Sequence, residues 1–109
     1  MSERLGRNAL IVGASGIVGR AAFEHFARSA EWSAVGVSRR APDLKIGTHV
    51  PLDLLDADAC RRGLAEQPAP THIVYAALQE KPGLIEGWYD PALMETNRRM
   101  LENLLDAAE

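Results

Sequence analysis

The chain has 109 residues, enough for one compact domain, and its 47% apolar content with both charge signs interspersed describes a globular protein rather than a disordered one. A formal net charge of -3 offers no basic field for nucleic acid, and a single cysteine, Cys60, excludes an internal disulfide and any metal site built on paired thiolates. His25, His49 and His72 lack metal-ligand spacing, so each is expected on a helix face or at a strand end and no metal is expected.

The first eight residues are polar and lead directly into an apolar run, unlike a signal peptide, and no run is long enough to span a membrane. A cytoplasmic protein is the expectation. Ala9-Leu10-Ile11-Val12 is continuously apolar and stops at a glycine, which suits a strand buried on both faces. Ile17 to Arg28 follows with helical periodicity, Val18, Ala21, Ala22 and Phe26 falling on or near one stripe. Trp32 to Val37 predicts a second strand, closed by Ser38-Arg39-Arg40 and a turn at Pro42.

A short third strand is expected around Thr48 to Leu52, joined to the second by too few residues for a full helix, or by a degenerate one around 42–45. Asp56 or Asp58 is placed to cap a helix running to about Glu66, and Pro68 and Pro70 prevent its continuation. Thr71 to Ala77 predicts a fourth strand, and a Gly/Pro-punctuated loop from Glu80 to Asp90 precedes the last helix. That helix opens at Pro91, a permitted first-turn position, and carries Leu93, Met94, Met100, Leu101, Leu104 and Leu105.

Strands alternating with helices predict an α/β fold, a Rossmann-type parallel sheet with flanking helices. Right-handed crossovers put the strands in the order 3-2-1-4. The expected unit is 1–109, the N-terminal portion of a nucleotide-binding domain, ending before a fifth strand.

Gly13-Ala14-Ser15-Gly16-Ile17-Val18-Gly19 sits between the first strand and the first helix. In such a turn the first glycine permits the bend, the second lets backbone approach a pyrophosphate, and the third lets the helix pack closely on the sheet. The helix N-terminus then offers N–H groups and a partial positive charge to phosphate, with the Ser15 hydroxyl as a further donor. Against this stands the plain alternative that the glycines serve only the turn.

About 20 residues past such a turn, NAD-binding proteins place an acid on the ribose hydroxyls. This chain has Val37-Ser38-Arg39-Arg40 instead. A guanidinium grips a 2′-phosphate that an acid would repel, so the pair points to NADP(H), unless the two arginines only solvate a loop. Asp53-Leu54 has two readings of equal weight: an adenine contact, with the leucine covering the ring, or a helix cap or turn.

These residues together resemble the extended short-chain dehydrogenase/reductases, the group of NAD(P)-dependent sugar epimerases and dehydratases. Within it the pattern is most similar to the progesterone 5β-reductase/iridoid synthase-like enoyl reductases and their bacterial relatives. The likeness runs from Ala9 through Gly19, then Gly36 to Arg40, Asp53-Leu54 and Thr71 to Tyr75, with Asn97, Met100 and Asn103 on the last helix. It implies that Gly16, Ile17 and Val18 lie against the pyrophosphate, Arg39 and Arg40 against the 2′-phosphate, and Asp53 and Leu54 against the adenine. Ala77 and Leu78 would lie near the inner ribose, where the plant reductases carry a Thr-Trp pair that this chain lacks.

The superfamily's catalytic tyrosine and lysine lie beyond the fifth strand. Tyr75 and Tyr89 have no lysine at the family's spacing, Lys45 and Lys81 being the only lysines, and no histidine follows Ser15 or Ser38 with the logic of a triad. No catalytic residue is therefore expected here. Three functions remain open: an NADPH-dependent oxidoreductase, an enoyl or enone reductase by resemblance; a nucleotide-binding or sensor module without chemistry; or a structural fragment or assembly partner. An NAD-dependent sugar epimerase or dehydratase is the further alternative. The apolar edge of a four-stranded half-sheet predicts self-association, or a place in a longer chain.

Overall fold

Alternation of side-chain direction along the first strand decides the layers of this protein. In the computed structural model, which describes residues 7–78 and 90–109, β1 spans Asn8–Val12. Its Ala9 and Ile11 join the apolar cluster on one side of the sheet, and its Leu10 and Val12 the cluster on the other. A strand apolar on both faces needs a cover on each.

Helix α1 (Ile17–Arg28) supplies one cover, inserting Phe23 against Ala9, Ile11 and Ala34. Phe23 is 1% exposed, and burying such a ring is worth about 1.5–3 kcal/mol. On the opposite face lie α2 (Ala57–Ala65) and α3 (Pro91–Ala108), which pack on each other. Cys60 and Leu64 of α2 and Met100 and Leu104 of α3 close that core over Leu10, Val12, Val35 and Val37.

The other strands are β2 (Ser33–Ser38), β3 (Thr48–Pro51) and β4 (His72–Tyr75), all parallel to their neighbours. Their order is β3-β2-β1-β4, as the right-handed crossover rule requires. Register places Leu10 beside Val35 and Ile73, and Gly36 beside His49. No helix intervenes between β2 and β3.

Asp56, not Asp58, caps α2: its carboxylate accepts from the Ala59 N–H at 3.0 Å. Asp90 caps α3 in the same way, accepting from Ala92 and Leu93, with Pro91 opening the helix. Apart from Asp90, the expected loop from Glu80 lies outside the described residues. No described helix is long and apolar enough to cross a membrane.

Several local expectations need correction. Val18 is 69% exposed and Phe23 takes the core, because the face α1 turns to the sheet is rotated from the stripe read in the sequence. On α3 only Met100 and Leu104 are buried, while Met94, Leu101 and Leu105 are exposed, because the described elements cover one side of that helix. Strand ends also differ. β2 runs one residue later than expected, through Ser38; β3 stops at Pro51; β4 is shorter than Thr71 to Ala77, its pairing with β1 ending at Tyr75.

Candidate functional site

Parallel strands bring the loops that follow them to one edge. The loops after β1 and β4 diverge there, because the chain fills the sheet outward from β1 in one direction and then crosses to its other side. Such a switch point leaves a crevice.

The turn after β1 forms one wall. Gly13 has φ +89°, the left-handed region where a side chain is strained. Its N–H and that of Ala14 both donate to the Val37 carbonyl, at 2.9 and 3.1 Å, which clips the turn to β2. The Gly16 N–H then donates to the Gly13 carbonyl at 3.1 Å, and Arg20 to the Gly16 carbonyl at 2.8 Å, starting α1. Gly16 is the N-cap, no side chain caps the helix, and its first turn holds no acid. The N–H groups of Ile17, Val18 and Gly19 have no acceptor within the helix by its geometry, so the positive end of α1 opens toward the crevice.

The crevice encloses about 240 Å3. Gly13, Ser15 and Gly16 line it from the first turn, and Val37, Ser38 and Arg39 from the end of β2. The segment after β3 contributes Leu52, Asp53, Leu54 and Leu55; Ala76, Ala77 and Leu78 follow β4; Met100 reaches in from α3. A second, open recess is lined by Ser15, Arg39 and Arg40. Most of the residues singled out in the sequence thus converge on one edge of the sheet. Ile17 and Val18 stand exposed at the helix start, outside the crevice lining, and Gly19 is buried beneath the turn.

Arg39 and Arg40 are both exposed, and neither guanidinium forms an ion pair with a described residue. Beside them the wall is set by Asp53, whose Oδ1 accepts from the Leu55 N–H at 3.0 Å. That bond makes Asp53 a turn-former, and the capping alternative passes to Asp56. Leu54 is 8% exposed and belongs to the core, whereas Leu55 is 47% exposed. Asn103 donates through Nδ2 to the Leu54 carbonyl at 2.7 Å, tying α3 to this wall. In the sequence Met100 belongs to the apolar stripe of the last helix, and only the resemblance ties it and Asn103 to the site; Leu55 and Ala76 carry no site signal there.

The sheet makes one contact that the spacing of the residues did not show. Ser38 does meet a histidine: its Oγ lies 2.9 Å from His49 Nε2. The pair is not a nucleophile with its base, however, because the single hydroxyl proton is donated to the Arg40 carbonyl at 2.5 Å. His49 is held below the usual histidine range by burial, with a hydrogen bond to the Ser38 backbone acting in the opposite direction. His25 is edge-on to Phe26, and His72 meets Thr71 and Trp32. No cluster of potential metal ligands occurs among the described residues.

Burial, followed by the charges of Asp56 and Asp53, pushes the Cys60 thiol up, which disfavours thiolate chemistry. Tyr75 turns into the core between the sheet and α3, where its hydroxyl is buried without a hydrogen-bond partner. Lys81 and Tyr89 lie outside the described residues. The arrangement is suited to holding a polyanion with an attached ring, and no described residue pair is poised for proton transfer.

Comparison with known proteins agrees with the fold. Residues 9–109 match the NAD dependent epimerase/dehydratase family. The beta subunit of methionine adenosyltransferase 2 from Rattus norvegicus is 35% identical over 86 residues, 79% of this chain and 24% of that protein. Among solved structures, the Bordetella bronchiseptica enzyme WbmG in complex with NAD superposes with a TM-score of 0.72 at 20% identity, covering 99% of this chain and 36% of that one. An NADPH-bound carbonyl reductase from chicken fatty liver gives 0.70 at 15% identity, with 93% and 49% covered. At these identities the two structures bear on the fold alone. The chain spans about a quarter of the length of the curated relatives it matches.

Proposed function

The chain belongs to the NAD dependent epimerase/dehydratase family, and from that premise we propose that it binds NADP(H) in the crevice at the β1/β4 switch point. The pyrophosphate would rest on the start of α1 at Gly13, Ser15, Gly16, Ile17 and Val18, with Gly19 beneath. Arg39 and Arg40 would hold the 2′-phosphate, with Ser38 beside it supporting their loop; Asp53 and Leu54 would meet the adenine, and Ala77 and Leu78 the inner ribose. When bound, the dinucleotide supplies hydride chemistry; these residues bind and orient it.

The single observation that carries the reading is the pair of arginines, exposed and without ion-pair partners among the described residues, beside a recess shared with Ser15. A 2′-phosphate supplies the charge that the pair lacks. That solved neighbours of this fold hold NAD or NADPH supports a nicotinamide dinucleotide as the occupant. Titration of the chain with NADPH and NADH tests the choice: tighter NADPH binding is expected, and equal affinities would sink it.

As to activity, the chain is read as the nucleotide-binding portion, 1–109, of an NADPH-dependent oxidoreductase, an enoyl or enone reductase. One observation favours a second reading, a binding module without chemistry. The curated relative is by name a beta subunit of methionine adenosyltransferase 2, and no described residue pair is poised for catalysis. Substrate-free nucleotide binding without turnover of any enone would favour the module. A reducing, cytoplasmic setting fits the lone buried Cys60. Exposed Met94, Leu101 and Leu105 on α3, with β4 outermost among the described strands, support self-association or packing within a longer protein.

A further inference from the structure

The arginine pair follows the last residue of β2, and the polar contacts there have a fixed direction. Ser38 has one hydroxyl proton, and that proton goes to the Arg40 carbonyl, 2.5 Å away. The same oxygen lies 2.9 Å from His49 Nε2, so His49 must be the donor in that contact. Neutral His49 therefore carries its proton on Nε2, and an imidazolium would donate through the same nitrogen.

His49 reaches Ser38 from the neighbouring strand. β3 pairs with β2 so that His49 stands beside Gly36 and Ser38 beside Pro51, and the ladder continues with the Leu52 N–H donating to the Ser38 carbonyl at 3.0 Å. The relay His49 to Ser38 to Arg40 thus anchors the first turn of the arginine loop to β3. A half-buried histidine on an edge strand ordinarily fills space. This one shares its partner with the backbone of the residue whose side chain lines the open recess.

We propose that His49 is a positioning residue for 2′-phosphate recognition: through Ser38 it fixes the Arg40 backbone, and so presents Arg39 and Arg40 together to one phosphate. The proposal rests on the NADP(H) reading above and deepens it. Two long guanidinium side chains converge on a single anion only if the backbone between them is held. Burial keeps His49 largely neutral near pH 7, so the charge offered to the phosphate comes from the arginines, and the histidine supplies geometry.

The test titrates NADP+ and NAD+ into the chain and into His49→Leu, His49→Gln and Ser38→Ala, with thermal midpoints alongside. His49→Leu should weaken NADP+ binding about tenfold, the factor carried by one net hydrogen bond, and leave NAD+ binding within about twofold. His49→Gln, whose amide N–H reaches the same oxygen, should restore most of the NADP+ affinity. Ser38→Ala should lower the NADP+/NAD+ ratio as His49→Leu does, and it severs the same relay if the leucine variant folds poorly. The proposal is overturned if His49→Leu weakens both nucleotides alike or neither, or if glutamine does no better than leucine. A parent without preference for NADP+ removes the cofactor reading itself, whereas a preference that survives His49→Leu removes only the role of His49.

Discussion

The carbonyl oxygen of Gly13 occupies the space where a side chain on Gly19 would begin: a Cβ there would lie 1.9 Å from it. Gly13 itself sits at φ +89°, and its own Cβ would meet the Ala76 carbonyl at 2.8 Å. By contrast, a Cβ on Gly16 would meet only the Gly13 oxygen, at 3.6 Å. Two of the three glycines are demanded by the fold, and the third is left open. Gly19→Ala should therefore cost about 3 kcal/mol of stability, the upper end for forcing an extra carbon into packed structure. Gly16→Val should fold with a loss of about 1 kcal/mol or less at the cap, yet bind no NADPH. Melting curves and nucleotide titration separate the two effects; a Gly16→Val chain binding at parental strength would make the turn purely structural.

Arg39→Ala and Arg40→Ala should each erode the preference for NADPH over NADH. In the parent that preference is expected at about 1.5–3 kcal/mol, the worth of a charged hydrogen bond, or one to two orders of magnitude in affinity. Calorimetric titration of both cofactors checks it. NADH affinity should hardly move in either variant.

Tyr75→Phe should raise stability by about 1 kcal/mol, because the hydroxyl is buried and unpaired and its removal restores no water-exposed group. Urea midpoints of the two chains decide. A less stable phenylalanine variant would show that the hydroxyl finds a partner in the folded protein.

His49 links stability to pH. Burial, opposed by a hydrogen bond to the Ser38 backbone, lowers its folded value below the ordinary 6.5. Above about pH 6.5 both folded and unfolded chains hold it neutral, and it has no effect on stability there. As pH falls further, the unfolded chain takes up the proton first, so stability drops until the folded pKa is passed and then levels off. His49→Gln should flatten this part of the acid limb in denaturation midpoints measured from pH 7.5 to 5. An unchanged limb would place the titrating group elsewhere.

The isolated chain should self-associate through the uncovered side of α3 or the outer edge of β4, where Ile73 is 38% exposed and Met94 53%. Light scattering across a concentration series is the measurement. A strictly monomeric species at high concentration would show those surfaces covered within the chain.

What the sequence determined is what neighbouring residues determine among themselves. The run 9–12 followed by glycine, the helix from Ile17 to Arg28, a cap at Asp56 or Asp58 and Pro91 at the start of α3 all depend on backbone preferences within a few residues. The strand order β3-β2-β1-β4 was legible too, because the handedness of a parallel crossover leaves little choice. The spacing of Gly13, Gly16 and Gly19 and the arginines after β2 likewise pointed to the edge of the sheet where Gly13, Gly16 and Arg39 line the crevice.

Tertiary structure alone decided which side chains meet across elements. Phe23 rather than Val18 enters the core because the contact face of α1 depends on how the helix lies across β1 and β2, which its own periodicity does not specify. Leu54 turns inward and Leu55 outward because Asp53 closes a turn there and Asn103, on a helix far along the chain, holds the Leu54 carbonyl. His49 reaches Ser38 only because parallel pairing sets Gly36 beside it, a register established by the sheet as a whole. Local patterns encode the direction and period of a side chain; its partner is chosen by packing between segments distant in sequence.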